Sequence, residues 1–309
     1  MNPKTSLSEA KITEVFRHHG LAQTPKIKRI AIGFTNEVHE VDDYILKVCV
    51  RKNFKKKFKN EVNTYQRLQG RALVPEFVLA DDSETLINKP YMIYKMIPGE
   101  SLGGRWHLLN DTQRRRLIKD FCAQLKIVNT LDKNPKPTPG PRWEDNMHAA
   151  YDQDFRIIER KKLLPKATQE LIKRYLESNW HVLKPEKLAF SYWDPHWDNI
   201  IVDERGKMVG LIDFEHVGVV SIDFILSMVK QMQNYPRLTL SLEMEKYADK
   251  KDYVHLMDWY KEFYPEIFDF EDLETRLDLY ELEGVLRLLP KFPKAKQLHE
   301  RLARIIGEA

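Results

Sequence analysis

Three side chains that carry oxygen atoms, Asp194, Asn199 and Asp213, lie in the segment SYWDPHWDNIIVDERGKMVGLID. The segment predicts two strands, Asn199–Asp203 and Lys207–Asp213, that fold back on each other at the turn between them. If they pair, residues whose numbers add up to about 411 or 412 lie opposite each other, which places Asn199 across from residue 212 or 213. An amide oxygen beside a carboxylate suits Mg²⁺ bound to a triphosphate. Asp194 lies within reach to accept a proton from an attacking hydroxyl group.

A second set of candidate residues lies nearer the N-terminus. Lys47 interrupts the otherwise apolar strand Tyr44–Val50, where an unpaired buried ammonium group is costly. Glu61, on a helix predicted over Lys55–Leu68, is its expected partner, and such a pair holds an ammonium group against the α- and β-phosphates of a nucleotide. The turn Gly33-Phe34-Thr35-Asn36 between two strands lets backbone amides approach phosphate groups.

Each of these features also has a purely structural interpretation. Asp194, Asn199 and Asp213 would then be loop caps or turn residues. The turn at Gly33 would be an ordinary hairpin, and Lys47 would extend from an edge strand into solvent. The presence of both sets in one chain favours chemistry.

The elements that must position these residues are strands early in the chain and helices later. Patterning predicts a short helix at Ser8–His19 and then strands at Lys26–Ile32, Glu37–Val41, Tyr44–Val50, Phe77–Asp81 and Tyr91–Met96. Helices are predicted at Asp111–Leu131, Asp152–Lys161, Ala167–Leu183, Ile222–Met232, Lys251–Phe263 and Phe270–Leu289, with a Pro-rich loop at Asn134–Pro141. We therefore predict an N-terminal nucleotide-binding lobe, residues 1–97, and a C-terminal catalytic and substrate-binding lobe, residues 98–309.

Composition excludes several classes of protein. Hydrophobic residues make up 42% and charged residues 31% of the 309 residues, a mixture typical of globular domains. No apolar run reaches the roughly 18 residues that cross a membrane, and the N-terminus lacks a secretory pattern. The 2 cysteines stand in apolar patterns, so we expect a cytoplasmic protein without disulfides and without a membrane partner. A net charge of +4 does not indicate a nucleic-acid partner.

Charge is nevertheless concentrated in two segments. Residues 51–59, RKNFKKKFK, hold six Lys or Arg and no acid, whereas residues 266–283 hold eight Asp or Glu and one Arg. Both fit solvated helix faces. The functional alternatives are a basic wall near nucleotide phosphates and an acidic wall near a cationic substrate. The basic run also leaves nucleic-acid binding as a rival interpretation, although no base-reading module accompanies it.

The order of these motifs resembles the aminoglycoside phosphotransferase and choline kinase family. GFTNEVHEVDDYILKV is similar to its first hairpin and Lys strand, and YMIYKMIPGESL to its hinge segment. SYWDPHWDNIIVD is similar to its H-G-D-x-H-x-x-N loop, and GLIDFEHVGVVSIDF to its metal-binding Asp strand. The resemblance implies an α+β, bilobal protein-kinase-like fold with a β-rich N-terminal lobe and a mainly helical C-terminal lobe. It also implies an ATP-dependent enzyme that phosphorylates a hydroxyl group of a small molecule.

Carried over residue by residue, the resemblance makes Asp194 the catalytic residue and Asn199 and Asp213 the Mg²⁺ ligands. The residues expected to bind the nucleotide are Gly33, Thr35, Asn36, Lys47 with its partner Glu61, Tyr94 behind the adenine, and the backbone of Lys95, Met96 and Ile97 at the adenine edge. Asp223 would brace the catalytic loop. ATP is the expected donor, with GTP left open.

Two departures from the family pattern concern the catalytic loop. Tyr192-Trp193 stand where the family has His-Gly, and Trp197-Asp198 replace Pro-Gly. Such bulk would narrow the site or alter its order, which leaves a non-catalytic nucleotide-binding relative as an alternative. Only nine residues separate Asp213 from Asp223, too few for a segment that cradles a peptide, so we expect a small acceptor.

The class of acceptor stays open between several small molecules. The acidic stretch favours an aminoglycoside. Aromatic side chains favour choline or ethanolamine, since quaternary ammonium groups bind ring faces, although the same side chains fit ordinary core packing. The aromatic candidates are Trp193, Trp197, Trp259, Tyr260, Phe263 and Tyr264. Sugars and amino-acid alcohols are further alternatives, and the chain is expected to be a monomer or a homodimer.

Overall fold

The computed structural model describes residues 7–32, 36–132, 142–241 and 243–307. They form two compact units. The first comprises the chain up to Arg105 together with Trp197–Val217, and the second comprises Trp106–His196 and the chain from Gly218 onward. Within the described ranges, none of the helices combines the length and the apolar character needed to cross a bilayer. The lobe boundary predicted after residue 97 stays a prediction.

The first unit contains a five-stranded antiparallel sheet with the strand order β1-β2-β3-β5-β4. Its strands are β1 Ile27–Ile32, β2 Asn36–Val41, β3 Tyr44–Cys49, β4 Phe77–Asp81 and β5 Tyr91–Lys95. The five predicted strands are therefore confirmed, with ends that differ by at most one residue. Asp42, which follows β2, has a φ of +51°, a conformation that a short polar side chain tolerates.

Two helices of the first unit pack by burying one face. Helix α1, Glu9–His18, is capped at its N-terminus by Ser8, whose hydroxyl oxygen accepts a hydrogen bond from the Lys11 amide at 3.3 Å. Its buried side chains form one cluster with strand residues such as Leu46 and Ile93. Helix α2, Lys55–Leu68, has the predicted bounds.

A second, three-stranded sheet completes the first unit. Its strands are β6 Glu100–Ser101, β8 Ile200–Val202 and β9 Met208–Leu211, in the order β6-β8-β9. Ile200 pairs with Leu211, and the Ile212 amide donates to the Asn199 carbonyl oxygen at 2.9 Å. The predicted register is therefore confirmed from Asn199, which lies opposite residue 212, to Ile201, and it shifts by one residue at Val202, which pairs with Met208.

The second unit is mainly helical. Its helices are α3 Asp111–Asn129, α4 Trp143–Lys161, α5 Lys166–Asn179, α6 Ile225–Asn234, α7 Leu256–Phe263, α8 Leu273–Leu288 and α9 Lys296–Ile306. The strands β7 Leu188–Tyr192 and β10 Val217–Ser221 form a two-stranded sheet. The sequence did not predict β6, β7, β10 or α9.

Several predicted helix limits were wrong. The helix expected over Lys251–Phe263 begins only at Leu256, because residues 250–253 form a 3₁₀ turn. A 3₁₀ turn also precedes α6, and another, Trp180–Leu183, follows α5. Helix α4 begins nine residues before its predicted start, at Trp143. The predicted Pro-rich loop, Asn134–Pro141, lies outside the described residues.

Candidate active site

Lys47 and Glu61 form a buried pair inside the first unit. Lys47 lies on β3 and is only 4% exposed, and its ammonium nitrogen lies 2.8 Å from each carboxylate oxygen of Glu61. Helix α2 buries Glu61 because its neighbours on the same helical face, Phe58, Tyr65 and Leu68, are buried. The pairing expected from the sequence is thus observed.

Two further carboxylates lie beside the Lys47 ammonium group. Asp213 Oδ1 is 3.0 Å from Nζ, and Glu215 Oε1 is 3.6 Å from it. Burial alone would lower the pKa of Lys47, but the carboxylates of Glu61, Asp213 and Glu215 outweigh it and raise that pKa well above its usual value. Burial raises the pKa of Glu61, and the Lys47 ammonium group opposes that shift. Since Nζ contacts both Glu61 oxygens, Lys47 acts as a fixed positive charge.

Asp213 adopts an unusual backbone conformation. Its φ is +62°, in the left-handed region, which costs most residues on the order of 1–3 kcal/mol and a short polar residue such as Asp less. The Asp213 amide donates a hydrogen bond of 3.0 Å to the hydroxyl oxygen of Tyr65 on α2. Burial raises the pKa of Tyr65 well above its usual value, so this hydroxyl group stays neutral. The contact ties the strained backbone to the helix that carries Glu61.

The side chains around Asp213 offer oxygen atoms to a cation. Oxygen atoms of Glu61, Asp213 and Glu215 lie within 4.8 Å of one another. Glu61 is fully buried against Lys47, whereas the side chains of Asp213 and Glu215 are 42% and 10% exposed and are the accessible carboxylates of this set. Carboxylate and amide oxygens are ligands that fit Mg²⁺. Sequence reasoning assigned no role to Glu215, although it stands two residues after Asp213 in GLIDFE.

These residues open into a cleft of about 500 Å³ within the first unit. Its polar lining consists of Asn36, Lys47, Ser101, Asp198, Asn199, Asp213 and Glu215. Its apolar lining includes Ile30, Val38, Ile45, Pro75, Tyr94, Met96, Ile97, Ile201 and Ile212. An apolar slot in the same cleft as a charged pocket suits a purine base joined to phosphate groups. The cleft therefore brings together most of the predicted nucleotide-binding residues.

The segment after β5 offers one backbone donor to this cleft. The Lys95 amide already donates to the Glu76 carbonyl oxygen, and the Met96 amide to that of Asp43, both at 2.8 Å. The Ile97 amide has no hydrogen-bond partner among the residues that the structure describes. Of the three predicted adenine-edge residues, Ile97 is thus the one whose N–H is left for a ligand.

Glycine is required where Ile97 packs against the hairpin. A Cβ atom at Gly210 on β9 would collide with the Ile97 side chain. Gly99 has a φ of +147°, and a Cβ atom there would lie 2.5 Å from the Val202 carbonyl oxygen. These two glycines therefore allow the segment after β5 to pack closely against the hairpin.

The predicted phosphate-binding turn is only partly described. Gly33 and Thr35 lie outside the described residues, so their expected role stays a prediction. Asn36 is buried at the start of β2, and its side-chain amide donates to Glu215 Oε1. Asn36 thereby orients one of the two accessible carboxylates.

Asp194 lies in the second unit, in the loop that follows β7. Its Oδ1 is 3.0 Å from Nε2 of His196, and its carbonyl oxygen accepts a hydrogen bond from the Tyr192 hydroxyl group. Nδ1 of His196 lies 2.7 Å from the carbonyl oxygen of Thr239. Sequence reasoning assigned no role to His196. The pattern D-x-H was its only signal, and the contact with Thr239, 43 residues away, is not readable from the sequence.

Two of the bulky residues of this loop, Tyr192 and Trp193, pack within the second unit. Tyr192 is buried and bonds to the loop itself. The Trp193 ring lies 5.9 Å from that of Phe224, centroid to centroid, and it approaches Gly218 closely. Tyr192 and Trp193 therefore have defined contacts within the second unit.

Asp223 is part of a buried polar network in the second unit. Nε of Arg276 on α8 lies 2.7 Å from its carboxylate, and both side chains are fully buried. The Tyr280 hydroxyl group donates to Asp223 at 3.0 Å, and the Ser221 hydroxyl group also donates to it. These bonds tie the turn before α6 to α8. Whether they also brace the catalytic loop stays a prediction.

Comparisons with known proteins agree with this fold. The model of the phosphotransferase enzyme family (APH) matches residues 26–225. No curated protein matches the chain by sequence.

Several solved structures are similar over nearly the whole chain. Aminoglycoside phosphotransferase APH(2'')-Ib bound to ADP has a TM-score of 0.69 at 16% identity, with 97% of each chain covered. A ternary complex of APH(4)-Ia with AMP-PNP and hygromycin B has a TM-score of 0.68 at 14% identity, covering 97% of this chain and 98% of that one. A GDP and kanamycin complex of APH(2'')-IIIa has a TM-score of 0.66 at 13% identity, with 97% of each chain covered. This likeness confirms the predicted α+β, protein-kinase-like fold class.

Proposed function

Because the chain belongs to the phosphotransferase enzyme family, we propose that it transfers the γ-phosphoryl group of ATP to a hydroxyl group of a small molecule. The observation that carries the proposal is the position of Lys47. Its buried ammonium group is fixed by Glu61, lies 3.0 Å from Asp213 and lines a cleft that also has an apolar slot. A fixed positive charge of this kind positions the phosphates of a nucleotide.

The proposed roles divide between donor binding and proton transfer. Lys47 holds the α- and β-phosphates, and the Ile97 amide binds the edge of the base. Asn199 and Asp213 hold Mg²⁺, with Glu215 beside them, and bound Mg²⁺ neutralises charge on the phosphates. Asp194 orients the acceptor hydroxyl group and accepts its proton.

The nucleotide proposed is ATP, with GTP as the alternative. The similar structures include complexes with ADP and AMP-PNP and a complex with GDP. The apolar lining of the cleft suits either purine, so the assay must include both donors.

An aminoglycoside-like molecule is the first acceptor to test, because similar structures contain kanamycin and hygromycin B. The acidic stretch at 266–283 gives this choice little support. Six of its eight acids form ion pairs with Lys or Arg, so most of its negative charge is compensated. The compensated acids are Glu266, Asp269, Glu274, Asp278, Glu281 and Glu283.

Choline, ethanolamine, sugars and amino-acid alcohols are the alternatives. The aromatic residues that suggested a cage for a quaternary ammonium group are mostly buried, namely Trp197, Trp259, Tyr260 and Tyr264. Buried rings of this kind support core packing rather than a cage. The chain's own residues thus do not favour choline over the other small acceptors.

The test is ADP or GDP release in the presence of Mg²⁺ and a panel of acceptors: kanamycin, gentamicin, hygromycin B, choline, ethanolamine, amino-acid alcohols and sugars. We expect release that depends on one class of acceptor, with one phosphate group added to that acceptor in its mass spectrum. Asp194→Ala is the control and should not turn over. Nucleotide binding without turnover on any acceptor would favour the alternative, a non-catalytic nucleotide-binding relative.

A further inference from the structure

His196 is held between two oxygen acceptors in the second unit. Its Nε2 atom lies 3.0 Å from Oδ1 of Asp194, and its Nδ1 atom lies 2.7 Å from the carbonyl oxygen of Thr239. The His196 backbone amide also donates to the Asp194 carbonyl oxygen at 2.8 Å. The imidazole ring therefore links Asp194 to a segment far away along the chain.

Counting donors and acceptors limits the protonation states open to this ring. A carbonyl oxygen only accepts hydrogen bonds, so Nδ1 must carry a hydrogen atom to bond to Thr239. If the Asp194 carboxylate is ionised it also only accepts, so Nε2 then carries a second hydrogen atom, whereas a protonated carboxyl group would donate to Nε2 instead. A ring with both hydrogen atoms is an imidazolium cation, which makes the contact with Asp194 a charge-assisted hydrogen bond.

The anchor on the far side of the ring, Thr239, is buried and hydrogen-bonded. Thr239 is 1% exposed and ends the 3₁₀ turn Pro236–Thr239, where its own hydroxyl group donates to the Pro236 carbonyl oxygen at 2.9 Å. Tyr192 holds the Asp194 backbone through the carbonyl oxygen. The carboxylate and the backbone of Asp194 are thus fixed by different residues.

We propose that His196 is a positioning residue whose imidazolium group, anchored on the Thr239 carbonyl oxygen, orients the Asp194 carboxylate and keeps it ionised. The inference rests on the proposed function, in which Asp194 accepts the proton of the acceptor hydroxyl group. A carboxylate held in one orientation has its second oxygen atom directed consistently, which a proton acceptor requires. His196 itself does not contact the reacting atoms in this scheme.

Two substitutions distinguish a residue that orients the Asp194 carboxylate from one that only links its loop to Thr239. In His196→Gln, the side-chain amide nitrogen reaches as far as Nε2, so the bond to Asp194 is kept and the bond to Thr239 is lost. In His196→Asn, the amide nitrogen reaches only as far as Nδ1, so the bond to Thr239 is kept and the bond to Asp194 is lost. His196→Ala loses both bonds.

We expect kcat to fall about 100-fold in His196→Ala and in His196→Asn, because the carboxylate is no longer held in place. His196→Gln should lose about tenfold, because it keeps one hydrogen bond to Asp194 but loses the bond to Thr239 and the positive charge. KM for the nucleotide should change little in all three, since the cleft residues belong to the first unit. Thermal denaturation of each variant checks that it is folded. If kcat stayed near the wild-type value in His196→Asn and fell about 100-fold in His196→Gln, the proposal would be overturned. The bond to Thr239, and not the bond to Asp194, would then be what matters.

A spectroscopic measurement tests the charge without relying on turnover. In wild-type protein with ¹⁵N-labelled histidine, both ring nitrogens of His196 should show protonated chemical shifts at neutral pH, the signals being assigned by their loss in His196→Gln. In Asp194→Ala, the ring should become neutral, with its hydrogen atom on Nδ1. A neutral His196 ring in the wild type would overturn the proposal. If no acceptor is phosphorylated, the proposed function fails, and the ring signals still decide whether the imidazolium pair exists.

Discussion

Tyr65→Phe removes one oxygen atom and tests whether the conformation of Asp213 depends on it. The Tyr65 hydroxyl oxygen accepts the Asp213 amide at 3.0 Å, where φ is +62°. The substitution keeps the ring, which lies 5.5 Å from Tyr94 and 5.3 Å from Phe214 between centroids. Packing is therefore retained while the hydrogen bond to the strained backbone is lost.

The size of the effect follows from that bond. A protein hydrogen bond contributes about 1 kcal/mol net, and an amide left without a partner loses about 1–3 kcal/mol. If the lost hydrogen bond adds about 1–2 kcal/mol to the cost of holding Asp213 in its binding conformation, that cost is taken from the binding free energy. Mg²⁺-nucleotide affinity should then fall roughly 5- to 30-fold. We expect a similar loss in kcat/KM and little change in KM for the acceptor.

Tyr91→Phe is the matched control. Tyr91 is also fully buried in the first unit, and its hydroxyl group bonds to Asp81 at 3.0 Å and to His19 at 2.7 Å, but it does not line the cleft. Both variants should lose similar thermal stability, and only Tyr65→Phe should lose affinity for Mg²⁺-ADP in calorimetric titrations. Equal affinities in the two variants would refute the link between Tyr65 and Asp213.

Four further variants test other parts of the molecule. Asp194→Ala should nearly abolish turnover and leave ATP affinity almost unchanged, which steady-state kinetics and calorimetry measure separately. Lys47→Met should weaken nucleotide binding and destabilise the fold because the Glu61 carboxylate is left buried without its ammonium partner, and Lys47→Met with Glu61→Gln should regain stability without regaining affinity. Asp223→Asn should lower the free energy of unfolding by about 3–5 kcal/mol because it leaves the Arg276 guanidinium buried without its counter-ion, as denaturant titration would show. An unfolding free energy within about 1 kcal/mol of wild type would contradict that account of the network.

The parts of the site that are local in sequence were predictable. The hairpin register followed from the position of its turn, and it placed Asn199 opposite residue 212, as observed. The Lys47–Glu61 pair followed from a cation in an apolar strand and an acid in the next apolar helical face. In both cases the partner lies in a neighbouring element, so patterning alone identified it.

The contacts that depend on distant segments were not predictable. The Asn36–Glu215 hydrogen bond joins residues 179 positions apart, and the His196–Thr239 contact joins residues 43 apart. The short strands β7 and β10 owe their existence to pairing with each other, and five residues carry too little pattern to predict that. Helix α9 is different, because Leu298, Leu302 and Ile305 recur at helical spacing, so the sequence does carry a signal for this helix.

The charge of the acidic stretch also shows a limit of sequence reasoning. Its excess of acids is real, but several of the bases that compensate it come from other segments, such as Lys126, Lys187 and Lys230. A count within one window cannot include them. Ion pairs within the second unit therefore compensate much of the negative charge of this stretch. The acceptor class must come from the assay.

The discontinuity of the first unit has a consequence for synthesis on the ribosome. Residues 197–217 belong to the same unit as the N-terminal sheet, and the Leu211 amide donates to the Leu73 carbonyl oxygen at 2.7 Å. A nascent chain that ends at Arg105 therefore lacks β8, β9 and the two metal-ligand candidates Asn199 and Asp213. We expect the first unit to become resistant to protease only after residue 217 has emerged, because contacts of such long sequence separation form late. Stalled chains of increasing length would reveal this, and resistance at 105 residues would show that the N-terminal sheet folds alone.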